Sequence, residues 1–194
     1  MQTTTVTMSD TPKQILVPIA DGSEEIETVC IVDTLVRAGA KVTMASVMAQ
    51  PLVTCSRGVK ITADAMIGDL SGQDFDVIVV PGGMPGASNI AESEAFVKVL
   101  KEHVEKGKLY AGICAAPVVV LAKHGLLDGK KATAHPGFSD KLPDQEPVST
   151  RVVVDGQVVT SRGPGTALEF AVKLVEIIYG EEKAQAVAGP MVMK

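Results

Sequence analysis

Short runs of branched apolar residues alternate along this chain with stretches of helical periodicity. That alternation constrains the fold more than any other feature, because strands joined through helical crossovers pair in parallel. Residues 15–19, 41–47, 76–80 and 109–113 read as strands, the last two almost wholly apolar, as central strands covered on both faces are. Residues 24–38 read as a helix with acidic residues in its first turn and Gly39 at its end, and residues 93–106 as another, closed by Gly107. The stretch 51–62 is expected to form a small hairpin or edge pair, and residues 115–124 a helix ended by Gly125. Residues 132–134 read as a short strand before a Pro-rich loop that runs to residue 150, and residues 151–160 as a hairpin around Asp155-Gly156. Residues 170–179 lie in a last long helix, opened by the turn Gly163-Pro164-Gly165-Thr166. The expectation is an α/β fold with a mainly parallel central sheet, in one domain over residues 13–194. It follows a polar tail, residues 1–12, with neither the basic nor the apolar region of a targeting peptide.

Composition narrows the function classes. A chain of 194 residues with 46% apolar content can bury a core without disulfides or metals. A net charge of −5 and 3% aromatic residues argue against the phosphate-neutralising surface and stacking platforms of nucleic-acid binders. No apolar run reaches the ~18 residues of a membrane span. Cys30, Cys55 and Cys114 are odd in number and lack C-x-x-C spacing or a nearby His pair, so neither a zinc site nor a disulfide framework is expected. A reducing, cytoplasmic setting fits that usage, with Cys30 and Cys55 as packing residues and His103 and His124 as solvated ones.

Cys114 stands apart. In Gly112-Ile113-Cys114-Ala115-Ala116-Pro117 it sits between a strand end and a helical turn, where small neighbours permit a sharp bend that presents a side chain in the ligand crevice of an open sheet. The thiolate is the nucleophile, and taking a thiol from about 8.5 to about 5.5 needs roughly 4 kcal/mol of selective stabilisation. A helix terminus supplies at best about 2 kcal/mol, so a second donor is needed. Glu27 is the candidate: its helical neighbours Ile31 and Leu35 place it on an apolar face, where burial favours the neutral acid, which can donate to sulfur and later move protons. Gly83, after the strand ending in Pro81-Gly82-Gly83, and Ala115 offer backbone N–H groups for an anion hole, and His135 completes the set.

These residues resemble the ThiJ/PfpI superfamily, and within it the branch of the human parkinsonism-linked protein. The resemblance runs from Gln14 to Lys194. It is carried in order by Asp21-Gly22-Ser23-Glu24-Glu25-Ile26-Glu27-Thr28, Arg37-Ala38-Gly39, Cys55-Ser56-Arg57, Pro81-Gly82-Gly83, the Cys114 segment, His135-Pro136 and Thr160-Ser161-Arg162-Gly163-Pro164-Gly165-Thr166. It implies a flavodoxin-like three-layer sandwich, a homodimer with His135 near its interface, and a reactive Cys114 paired with a protonated Glu27. It also implies cofactor-free conversion of methylglyoxal to lactate, deglycation of early glyoxal adducts, or oxidative-stress sensing and chaperone activity. Two departures matter. Ala115 stands where protease-like members carry His, which argues against peptidase activity, and Thr62 stands where the human relative has a further cysteine.

Two readings follow: an enzyme in which Cys114 adds to a 2-oxoaldehyde as a hemithioacetal, with no cofactor and no metal, or a sensor in which Cys114 is oxidised to the sulfinic acid. Arg37 and Arg57 are the candidate anion-binding residues.

Overall fold

A computed structural model describes residues 11–193 of the chain. The expected polar tail therefore lies almost wholly outside the described residues. Among the described residues the strands are β1 (Gln14–Ile19), β2 (Lys41–Ser46), β3 (Leu52–Thr54), β4 (Lys60–Thr62), β5 (Ala65–Met66), β6 (Val77–Val80), β7 (Leu109–Ile113), β8 (Val152–Asp155) and β9 (Val158–Ser161). The helices are α1 (Glu25–Arg37), α2 (Gly86–Glu92), α3 (Glu94–Glu105), α4 (Ala167–Tyr179) and α5 (Glu181–Ala188).

Seven strands form one sheet in the order β5-β2-β1-β6-β7-β9-β8, all parallel except β8, which returns antiparallel along β9. β3 and β4 pair separately as the small hairpin that the sequence predicts. The sheet has a core on each face. One packs Ile90, Phe96 and Leu100 of α2 and α3 with Val120 and Leu121, and the other packs Ile31 and Leu35 of α1 with Phe170, Leu174 and Val187 of α4 and α5. This is the three-layer, flavodoxin-like sandwich with a mainly parallel sheet. The order of strands reverses between β1 and β6, and such a switch point opens a crevice at the carboxyl ends of the strands.

Several local expectations are corrected. Residues 132–134 form no strand: both edges of β9 are taken, by β7 and β8, and the Thr133 N–H donates instead to Thr160 Oγ1 at 2.9 Å. Residues 115–124 form no α-helix but a π turn at Pro117–Leu121 followed by a 3₁₀ turn at Ala122–His124, with the Ala122 N–H reaching Pro117 O and Val118 O. One α-type bond forms, from the Val119 N–H to Ala115 O at 2.8 Å, before the ladder widens to a spacing of five at Ala122. α2 is missed because Met84-Pro85-Gly86 reads as a turn, and α5 because Gly180, at φ 92°, breaks the helical run only locally. His103 is buried rather than solvated, with Nε2 2.7 Å from Leu109 O. Among the described residues no helix is long and apolar enough to cross a membrane.

Candidate active site

The carboxyl ends of β6, β7 and β9 converge on Cys114. The sharp bend expected there is present: Cys114 adopts φ 65°, a left-handed conformation that a non-glycine residue takes at a cost of about 1–3 kcal/mol when its surroundings enforce it. Those surroundings are two backbone hydrogen bonds, from the Cys114 N–H to Ser161 O at 3.0 Å and from the His135 N–H to Cys114 O at 2.8 Å. The side chain is thereby aimed at the floor of a pocket of about 320 Å³, within the usual range for small-molecule sites.

Glu27 lies beneath that floor. Glu24 caps α1 by accepting the Glu27 N–H at 2.7 Å, and the helical repeat then turns the Glu27 side chain inward, where it is completely inaccessible to solvent. Its Oε2 accepts the Gly82 N–H at 2.8 Å, while the buried Oε1 has no hydrogen-bond partner among the described residues. Gly82 stands between the two reactive groups: a methyl group on it would lie 2.5 Å from Cys114 Cβ and 2.8 Å from Glu27 Oε2. Only glycine fits there.

Burial pushes the Glu27 carboxyl up to about 7, against the pull of the Gly82 N–H and of Cys114. The thiol is not lowered, as the sequence led us to expect. Desolvation first, and the charge of an ionised Glu27 second, push Cys114 up to about 12, against the Gly83 and Ala115 N–H groups that bond to the sulfur. The helical contribution is weaker than expected too, because the segment after Cys114 is a short π turn and not a long α-helix.

The two groups titrate as a pair. Their ordinary values, 4.5 and 9.0, favour carboxylate plus thiol by about 6 kcal/mol. Opposing this, Glu27 is the more deeply buried partner and two amides face the sulfur against one for the carboxylate, each charge-assisted bond contributing about 1.5–3 kcal/mol. Wherever the remaining proton resides, the pair gives up its first one near 7, well below an ordinary thiol.

The pocket walls separate by chemistry. Glu24, Ser56, Arg57 and His135 are polar, whereas Met84, Ala115, Phe138 and Pro164 are largely apolar. His135 sits exposed at the rim, with Nδ1 accepting the Gly137 N–H at 3.1 Å, which leaves Nε2 as the protonated nitrogen of the neutral ring. The structure thus brings together Cys114, Glu27, Gly83, Ala115, His135 and Arg57. It does not bring Arg37: that residue stands at the far end of α1, paired with Asp33 at 2.6 Å. Among the residues that sequence reasoning missed, Ser56 and Gly82 lie inside quoted motifs, whereas Met84 and Phe138 sit in connections with no periodic signal. Cys55, 5% exposed, has its thiol pushed up by burial to about 11, as a packing residue would.

Residues 13–177 match the sequence model of the DJ-1/PfpI family. The protein named DJ-1 homolog B of Arabidopsis thaliana is 52% identical over 170 residues, 88% of this chain, which spans only 39% of that relative's length. The glutathione-independent glyoxalase DJR-1.2 of Caenorhabditis elegans is 40% identical over 179 residues, 91% of this chain and 94% of that protein. Oxidised DJ-1 of Toxoplasma gondii superposes with a TM-score of 0.91 at 48% identity, covering 93% of this chain and 98% of that one.

Proposed function

This chain belongs to the DJ-1/PfpI family, and on that premise we propose that it is a glutathione-independent glyoxalase whose nucleophile is Cys114 and whose proton carrier is Glu27. The observation that carries this reading is the juxtaposition of a strained, pocket-facing thiol with a buried carboxyl that titrates near neutrality. As the Cys114 sulfur adds to the aldehyde carbon of a 2-oxoaldehyde, the carbonyl π pair moves to oxygen, and the thiol proton goes to Glu27 if it is not there already. The N–H groups of Gly83 and Ala115, which bond to sulfur in the free protein, are placed to hold the oxyanion.

Glu27 gives its proton to that oxyanion to complete the hemithioacetal, then takes the C1 proton to give an enediolate and delivers it to C2 while the C1 hydroxyl proton passes to the C2 oxygen, leaving a thioester. Water hydrolyses it, with His135 assisting from the rim, and releases the 2-hydroxy acid and the free thiol. The net change is an internal redox isomerisation plus one water, so no cofactor is required. Early glyoxal adducts on amines reach the same intermediate once their carbinolamine C–N bond breaks, which releases the amine and restores the aldehyde to which Cys114 adds. Arg57 supplies positive charge at the mouth. Lactate formation from methylglyoxal without glutathione tests the reading: wild type should produce it and Cys114→Ala should not. Equal turnover by both would refute it.

A second reading is supported by the oxidised state of the Toxoplasma relative. Oxidation of Cys114 to the sulfinic acid places an anion beside the Gly83 and Ala115 amides and a proton-bearing Glu27, which favour it. A stable gain of two oxygens on Cys114 after mild peroxide, in a protein without aldehyde turnover, would favour sensing over catalysis.

The expected homodimer finds support on α1, whose outer face exposes Ile26, Val29 and Val36, each more than half accessible. An apolar stripe of that kind suits a second copy of the chain.

A further inference from the structure

One corner of the pocket is held by a residue that never reaches the pocket itself. Glu25 opens α1 immediately after the cap residue, and although it is a carboxylate it is only 7% exposed. Both of its oxygens are spent on the turn joining β3 to β4: Oε2 accepts the Ser56 hydroxyl at 2.7 Å and Oε1 accepts the Arg57 N–H at 2.8 Å. Burial alone would push this carboxyl up, but the bonds from Ser56 and from the amides of Glu25 itself, Arg57 and Val59 outweigh it and leave the group below its ordinary range. It is a carboxylate at neutral pH.

Ser56 and Arg57 both line the Cys114 pocket. The same turn is tied to the chain ahead of α1 by the Ser56 N–H to Ser23 O at 2.8 Å and the Gly22 N–H to Thr54 O at 2.9 Å. The next link, the Glu24 N–H to Gly82 O at 3.0 Å, anchors the opposite wall, where Gly83 faces the sulfur. One short segment, Gly22-Ser23-Glu24-Glu25, therefore fixes the distance between the arginine corner and the anion hole. Among the described residues the Arg57 guanidinium has no carboxylate partner; its only hydrogen bond runs from Nη1 to Ser56 O at 3.3 Å. The Glu24 carboxylate lines the same pocket, but it is engaged in capping α1.

We infer that Glu25 is a positioning residue that presents Arg57 to the Cys114 pocket and so biases the site toward substrates bearing a carboxylate or phosphate group. This rests on Cys114 being the reactive centre and deepens the proposed activity by naming a substrate class. A fixed cation at the mouth of a small pocket attracts an anionic reactant and leaves a neutral one unaffected.

Alkylation of Cys114 reads this directly and needs no catalytic turnover, so it is independent of whether the protein is a glyoxalase. Iodoacetate and iodoacetamide differ chiefly in charge, and the ratio of their rates on the full chain measures the bias. Glu25→Gln keeps the shape but can accept only at one position, and Ser56→Ala removes the other contact while leaving Glu25 in place. The expected result is a fall of about two- to fivefold in the iodoacetate-to-iodoacetamide ratio in both variants, as in Arg57→Ala, with no further fall when Glu25→Gln is combined with Arg57→Ala. For Glu25→Gln the iodoacetamide rate itself should not move. A ratio that stays at the wild-type value in Glu25→Gln and Ser56→Ala while Arg57→Ala lowers it would overturn the inference. So would an equal loss of both rates in those variants, which is what a merely structural role predicts.

Discussion

Glu27 and Cys114 share a wall one glycine thick. Gly82 donates its N–H to Glu27 Oε2 at 2.8 Å while its Cα faces Cys114 Cβ, so the proposed nucleophile and its proposed proton carrier are held together by a residue with no side chain.

Adding a methyl group at that point should separate them. Gly82→Ala places a carbon 2.5 Å from Cys114 Cβ, against backbone-anchored neighbours that cannot rotate away. A loss of about 1–3 kcal/mol in urea unfolding is expected, typical of overpacking, together with slower Cys114 alkylation at neutral pH. Unchanged stability would mean that the two groups are less tightly confined than the structure shows.

Glu27 also makes stability depend on pH in a recognisable direction. Its folded value, about 7, lies above the ordinary 4.5. Below pH 4.5 the carboxyl is protonated folded or unfolded. Between 4.5 and 7 the unfolded chain ionises while the folded one holds its proton, so this contribution is lost as pH rises, to a total of about 3 kcal/mol. Buried His103 works in the opposite sense, since burial lowers it and acid destabilises the fold. Comparing wild type with Glu27→Gln cancels the histidine. The variant should gain stability relative to wild type between pH 4 and 8, as read by denaturant unfolding.

The backbone at Cys114 stores strain that a glycine would release. Cys114 sits at φ 65°, so Cys114→Gly should be more stable than Cys114→Ala by about 1 kcal/mol, although both lose the thiol. Thermal unfolding of the two variants measures the difference.

The apolar stripe on α1 makes a prediction about assembly. Val29→Glu places a charge at the centre of the face formed by Ile26, Val29 and Val36, and should convert a dimer to a monomer in light scattering. A wild-type chain that is already monomeric at micromolar concentration would contradict the dimer.

Much of this was legible in the sequence because the relevant signals are local. The strand β7 and the bend after it follow from Leu109-Tyr110-Ala111-Gly112-Ile113-Cys114, and the inward turn of Glu27 follows from its spacing to Ile31 and Leu35. What stayed hidden depends on tertiary neighbours. Residues 132–134 look like a strand, yet β9 has no free edge to offer them. Glu25 looks like any acidic first-turn residue until the distant turn at Ser56 and Arg57 folds onto it. The raised Cys114 thiol was missed for a related reason: periodicity places Glu27 near sulfur but does not say how deeply both are buried.

The central claim is that Glu27 governs when Cys114 becomes a nucleophile, and the rate of Cys114 alkylation by iodoacetamide as a function of pH tests it most directly. The account predicts a step in the rate near 7 in the wild type, where the pair loses its first proton, and the loss of that step in Glu27→Gln, whose side chain cannot titrate. An inflection at the ordinary thiol value of 9.0 in the wild type, unmoved by the substitution, would contradict it.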